Sequence, residues 1–167
     1  MKQLILMRHA KSDWSDETIN DFDRPLTSSG QKAAALMGKK LKELSIFPDL
    51  ILSSSAIRAK TTSEIFAEQN GYSKEIIFSD DFYFGSEEDI IASIKNTDNN
   101  VNTLMVVGHN PIMEDLVAKI TIDNQYAMFK TATIVILSVP VIKWSGLKRE
   151  ICDLEKQYNS SDFSDIK

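Results

Sequence analysis

The sequence predicts a single α/β domain, a three-layer sandwich with a mostly parallel sheet flanked by helices. Three observations carry this. Short apolar runs alternate with stretches of helical periodicity along the 167 residues, the pattern of strand–helix–strand units. No repeat or low-complexity linker interrupts the alternation, and the length suits one domain. Three of the apolar runs lead into polar residues, at Arg8-His9, Ser53-Ser54-Ser55 and Gly108-His109. In open parallel sheets, ligands bind outside the carboxyl ends of the strands, so three separate segments can meet at one edge.

The elements follow in order. Residues 3–8, with Leu4 to Met7 unbroken, form a buried strand. Residues 28–45 place Ala34, Met37, Leu41 and Leu44 at helical spacing, with Ser28 or Ser29 as the expected cap. Pro48 and Asp49 punctuate, and residues 50–52 make a short strand. Residues 56–69 form a second helix, stopped by Asn70-Gly71. Residues 75–78 suit an edge strand. In the helix over residues 86–96, Ser86 is the cap, and Glu87, Glu88 and Asp89 occupy the first turn, where the helix dipole favours them.

Residues 103–107 are a further buried strand, and residues 111–120 a helix with Pro111 in its first turn. Residues 131–140 read as a strand ended by Pro140, and residues 141–158 as one more strand and a short helix. The domain is assigned to residues 1–158. Residues 159–167 form a polar tail that is expected to fray.

Composition narrows the function. The chain is 43% hydrophobic and 26% charged, ordinary for a globular protein. A chain of this size buries roughly 68–70% of its unfolded surface and needs no staples. Its one cysteine, Cys152, excludes an intramolecular disulfide and suits a reducing compartment. The first ten residues carry an apolar stretch too short for a signal peptide or a bilayer span. A cytoplasmic protein with no membrane partner is expected. Lys and Arg number 19 against 24 Asp and Glu, a net charge of −5. Without a basic run, nucleic acid is not an expected partner. Phosphate would have to be bound in one local pocket, against the overall field.

The chemistry lies at the strand ends. The chain has only two histidines, His9 and His109, and both follow apolar runs. A lone histidine there could simply bond a loop carbonyl, but both of them occupy equivalent topological positions. Arg8 precedes His9, and Arg58 lies near the start of the second helix, where backbone N–H groups already favour an anion. A guanidinium adds forked donors for phosphate oxygens. Two imidazoles and two guanidiniums describe a phosphoryl-transfer site without metal. A neutral imidazole can attack phosphorus, and the arginines neutralise charge on the transferring group. No H-E-x-x-H or C-x-x-C spacing is present, and arginine beside a ligand would repel a cation. No metal and no cofactor are expected.

These segments resemble a known family. "LMRHAKS" (6–12) is similar to the RHG/RHA signature of the histidine phosphatase superfamily, the phosphoglycerate mutase-like fold. "RPLTSSGQKAA" (24–34) resembles its LTxxGxxQA segment, with Ala33 where glutamine would stand. "SSSAIRAKTT" (53–62) resembles SxxxRAxxT, with Thr61 where many relatives have glutamine. "VVGHNP" (106–111) resembles the second-histidine motif. The motifs occur in the family's order and span residues 4 to about 115. The short chain, the "DFDRPLT" lead-in and the "GHNP" ending are most similar to the SixA-type branch, the phosphohistidine phosphatases.

The resemblance implies that His9 accepts the phosphoryl group and that Arg8, Arg58 and His109 complete the phosphate pocket. It implies that Thr27 and Gly30 shape the turn into the first helix. Ser15, Asp23 and Arg24 are candidate rim residues. Larger members carry an acidic proton donor in an insertion. The matching stretch here, "DDFYFGSEEDII" (80–91), is short. Glu87 and Glu88 are the candidate general acids, although carboxylates at a helix start explain them equally.

The expected activity is a metal-independent phosphohydrolase acting through a phosphohistidine on His9, with phosphorylated protein histidine as substrate. A phosphatase of small phosphomonoesters and a non-catalytic phosphate-binding domain are the alternatives. A sugar-phosphate mutase fits less well, because the chain lacks the insertions that would close over such substrates.

Overall fold

A computed structural model describes residues 1–163. Its centre is one six-stranded sheet. Strand β1 (Lys2–Arg8) is followed by helix α1 (Ser28–Glu43), strand β2 (Leu50–Ser54), helix α2 (Ile57–Asn70) and strand β3 (Ile76–Ser79). A single turn α3 (Asp81–Phe84), helix α4 (Glu87–Lys95), strand β4 (Thr103–Gly108) and helix α5 (Ile112–Ile120) come next. Strands β5 (Ile134–Val139) and β6 (Asp153–Tyr158) complete the sheet, in the order β3-β2-β4-β1-β5-β6. The four strands from β3 to β1 pair in parallel, whereas β5 and β6 pair antiparallel at one side.

Two apolar layers hold the sheet, because successive residues of a strand point to opposite faces. Ile5 and Met7 pack with Met37, Leu41 and Phe66 beneath α1 and α2. Leu4 and Leu6 pack with Ile90, Ile94, Leu116 and Trp144 beneath α4 and α5. The central strands are buried on both sides. That is why they read as unbroken apolar runs rather than as alternating ones.

Element ends depart from expectation where a neighbouring polar group competes. Thr27, not Ser28 or Ser29, caps α1: its side chain accepts from the Gly30 N–H at 3.0 Å. Helix α2 ends as expected, with Gly71 left-handed at φ 87°. Ser86 caps α4 in a capping box with Asp89. Strand β5 starts at Ile134 rather than at residue 131. The α3 turn lay in a stretch without helical periodicity. Ser160–Phe163 form a 3₁₀ turn rather than frayed chain, because Phe163 packs on the α1 layer and its ring lies 4.8 Å from the Lys40 ammonium. Residues 164–167 of the expected polar tail lie outside the described residues. Among the described residues, no helix is long and apolar enough to cross a membrane.

Candidate active site

Register brings the two histidines together. β1 and β4 are adjacent and parallel, with Arg8 opposite Gly108. The residue after each strand is a histidine, and the His9 N–H donates to the Gly108 carbonyl at 3.0 Å. The two rings lie 5.1 Å apart, centroid to centroid, at 53°. β2 flanks β4 on its other side and ends at Ser54, whose hydroxyl oxygen is 2.8 Å from His109 Nε2. Helix α2 then carries Arg58 to the same edge. Arg8, His9, Arg58 and His109 thus line one cavity of about 290 Å³, with Lys11, Trp14 and Asn110 among its other walls.

The His9 tautomer follows from its bonds. Nδ1 lies 2.7 Å from the Ala10 carbonyl, which can only accept, so Nδ1 carries the proton. Nε2 is then the lone pair, and it accepts from Arg58 Nε at 3.3 Å. Burial pushes the His9 pKa down to about 4; the Ala10 bond opposes this, while Arg58 and Arg8 reinforce it. Burial likewise lowers His109 to about 3, with His9 and Arg58 adding to the effect. Both imidazoles are neutral at pH 7. His109 Nδ1 is buried without a hydrogen-bond partner among the described residues.

The arginines are held from behind. Arg58 Nη1 donates to the Asp21 carbonyl at 2.6 Å, and Nη2 to the Asp21 carboxylate at 3.0 Å. The Tyr83 hydroxyl donates to the same carboxylate oxygen at 2.7 Å. Burial pushes the Asp21 carboxyl up, but Tyr83 and Arg58 outweigh it and hold the net pKa below the usual value. Arg8 Nη1 donates to the Phe129 carbonyl at 2.8 Å. Glu114 fixes that segment, accepting from the Phe129 N–H at 2.9 Å and from Asn110 Nδ2 at 3.0 Å.

The loop after β1 is set by α1 and α2. The Thr27 N–H donates to the Lys11 carbonyl at 2.9 Å. A Cβ on Gly30 would sit 2.3 Å from that carbonyl oxygen, so only glycine permits this approach. Thr62 accepts from the Ala10 N–H at 3.0 Å and donates to the Arg58 carbonyl at 2.6 Å. One hydroxyl thereby ties the His9 segment to the Arg58 turn.

The structure corrects the candidate general acids. Glu87 and Glu88 do not line the cavity; both pair with Lys119, Glu87 at 2.9 Å. The Lys119 bond holds the Glu87 carboxyl below its ordinary pKa, which is wrong for an acid that must be protonated. Ser15 and Asp23 do not line the cavity either, and Arg24 touches it only through Trp14. Asp21, Tyr83, Thr62 and Glu114 were not singled out in the sequence. The nearest signals were the acid in the "DFD" lead-in and the second threonine of "RAKTT". Among the described residues, no group of three or more His, Cys, Asp or Glu is placed to hold a metal ion.

Comparison with known proteins agrees with this geometry. The profile of the histidine phosphatase superfamily (branch 1) matches residues 4–83. A chloroplastic protein of Arabidopsis thaliana is 34% identical over 123 residues, covering 68% of this chain and 56% of that one. A Mycobacterium tuberculosis protein is 36% identical over 105 residues, 63% of each chain. The chain thus spans less than two thirds of the length of these relatives. The protein histidine phosphatase SixA, solved with tungstate, superimposes with a TM-score of 0.84 at 23% identity, over 96% of this chain and 98% of that one. A SixA protein of Agrobacterium tumefaciens assigned as a phosphohistidine phosphatase gives 0.79 at 28%, over 95% and 97%. The fold and its paired strand-end histidines define a phosphoglycerate mutase-like α/β domain. Residues 4–83 match the histidine phosphatase superfamily, and the whole chain shares the fold of the SixA structures.

Proposed function

We propose that this chain is a metal-independent phosphohydrolase that removes phosphoryl groups from protein histidine through a phosphohistidine on His9. The observation that carries the reading is the unprotonated Nε2 of His9, fixed by the Ala10 carbonyl and facing the Arg58 guanidinium.

In the first step Nε2 forms a bond to phosphorus as the bond to the leaving group breaks. The leaving imidazole departs with a proton taken up from water beforehand. Arg8, Arg58 and His109 meet the phosphoryl oxygens, where charge is densest in the transition state. In the second step water attacks phosphorus, the bond to Nε2 breaks, phosphate and a proton leave, and His9 is restored.

An alkoxide leaving group would need a proton from a placed acid, worth ~10²–10⁴-fold. Among the described residues, no carboxylate lines the cavity. An imidazole needs no such acid, which supports an N–P bond as substrate.

The test compares kcat/KM for a phosphohistidine peptide and for phosphoserine at one pH. Preference for the N–P bond is expected; equal efficiency on phosphoserine would overturn the substrate reading. Inactivity on both and on p-nitrophenyl phosphate would favour a binding domain.

A further inference from the structure

Trp14 lines the cavity, yet it is 62% exposed. A single exposed tryptophan ordinarily needs no explanation. This one is backed by a charge. The Arg24 guanidinium lies 3.9 Å from the indole centroid. Arg24 is only 8% exposed and does not line the cavity, so it sits behind the indole and leaves the other face open.

The platform is rigid. Arg24 Nη1 donates to the Asp16 carbonyl at 3.3 Å, and Arg24 Nε pairs with the Asp21 carboxylate at 3.9 Å. The segment carrying Trp14 is pinned in turn: the Asp13 N–H donates to the Pro25 carbonyl at 2.8 Å, and Ser12 bridges Leu26. The backbone that carries the indole and the guanidinium that backs it are thus in place before a ligand arrives.

The phosphoryl group is committed to the floor, between His9, Arg8, Arg58 and His109. Whatever carries it must pass the remaining walls, of which Trp14 offers a large, solvent-exposed ring. A flat ring can stack on the open indole face, whereas an acyclic chain can only touch it.

We propose that Trp14 determines leaving-group specificity, and that the site selects phosphoryl groups carried on a flat ring, with imidazole as the fitting case. This rests on the phosphohydrolase reading above. The step is unchanged: His9 Nε2 bonds phosphorus, the substrate's P–N bond breaks, and the protonated imidazole leaves along the indole.

The test uses N-phosphoimidazole and acetyl phosphate, one planar and one acyclic leaving group, with the full chain as wild type, Trp14→Leu and Trp14→Phe. Trp14→Leu is expected to lose roughly threefold to tenfold more kcat/KM on phosphoimidazole than on acetyl phosphate. Trp14→Phe should recover most of that difference. Equal losses on both substrates in Trp14→Leu, or no rescue by phenylalanine, would overturn the role of Trp14 and leave the phosphohydrolase reading standing. A wild type that turns over neither substrate would overturn both.

Discussion

Arg58 Nε donates to His9 Nε2 across 3.3 Å, so the lone pair proposed to attack phosphorus already faces a guanidinium. The contact orients the Nε2 lone pair toward the cavity side that Arg58 lines. In the proposed reaction a phosphoryl group entering the cavity would replace it, with Nε2 on phosphorus and Arg58 Nε on a phosphoryl oxygen. Asp21 holds the far side of the guanidinium throughout.

His9→Ala should abolish turnover and any covalent phosphoenzyme, because His109, the other histidine, is bonded to Ser54 through Nε2. His109→Ala removes a donor to the phosphoryl group but not the attacking group. Loss of one such donor costs about 10²–10³-fold in kcat. Labelling with a phosphate donor separates the two variants: His109→Ala should still form phosphohistidine, and label retained in His9→Ala would sink the nucleophile assignment.

Asp21→Ala removes the carboxylate that holds Arg58 Nη2 and keeps the backbone carbonyl that holds Nη1, so the guanidinium loses one of its two Asp21 anchors. Misplacing a catalytic group by about 1 Å can cost about 10²-fold, and a loss of that order in kcat/KM is expected. Tyr83→Phe removes only one neutral donor to Asp21. A bond worth about 1 kcal/mol corresponds to roughly a fivefold loss. Steady-state kinetics on p-nitrophenyl phosphate check the ranking, and a Tyr83→Phe loss equal to that of Asp21→Ala would contradict it.

With both histidine pKa values depressed, to about 4 and about 3, acid acts twice. A protonated His9 has no lone pair on Nε2, so kcat/KM should fall as pH drops through its folded pKa. The break belongs well below the ordinary imidazole value of ~6.5. Stability should fall too, and earlier. Between about pH 6.5 and 4 the unfolded chain takes up protons that the folded chain refuses, so acid favours unfolding, by roughly 2 kcal/mol per histidine at pH 4.5. The stabilisation is fully present above about pH 6.5. Urea titrations at pH 7 and 4.5 measure it, and His109→Asn should lose less stability over that interval.

Much of this site was legible, for a physical reason. Arg8-His9 and Gly108-His109 interrupt apolar runs, and a polar residue after a buried strand has one place to go, the strand's carboxyl end. The supporting residues were not legible. Asp21 and Tyr83 meet although they are 62 residues apart in sequence, and neither stretch has a hydrophobic period to fix its path. Thr62 closes the SxxxRAxxT segment, but spacing alone gives its hydroxyl no partner; the fold sets it between Ala10 and Arg58. Glu87 and Glu88 misled for the converse reason. Their helix-start position was read correctly, but their partner Lys119 lies on α5, and packing of α4 against α5 cannot be read from spacing.

Chelation should leave activity intact, because the guanidiniums of Arg8 and Arg58 supply the positive charge that a metal would otherwise bring. Vanadate should inhibit, since its five-coordinate form mimics the transferring phosphorus, which the pocket holds more tightly than substrate. Dialysis against EDTA followed by assay checks the first, and inactivation reversed by an added divalent ion would contradict it. Competition between vanadate and p-nitrophenyl phosphate checks the second.

Glu87 lies on α4 with its carboxylate on Lys119 at 2.9 Å, and Glu88 pairs with the same ammonium. A general acid must reach the leaving atom and carry a proton. Glu87 does neither, since it is outside the cavity and Lys119 keeps it ionised. Glu87→Gln and Glu88→Gln, singly and together, should therefore leave kcat/KM within about twofold on both N–P and O–P substrates. Their effect belongs to stability instead. Partly exposed ion pairs contribute at most about 1 kcal/mol, a Tm change of about 2–4 °C for a domain of this size. A loss of ~10²-fold or more, confined to O–P substrates, would show that α4 moves its carboxylates into the site when substrate binds, and that an acid had been dismissed on its resting position.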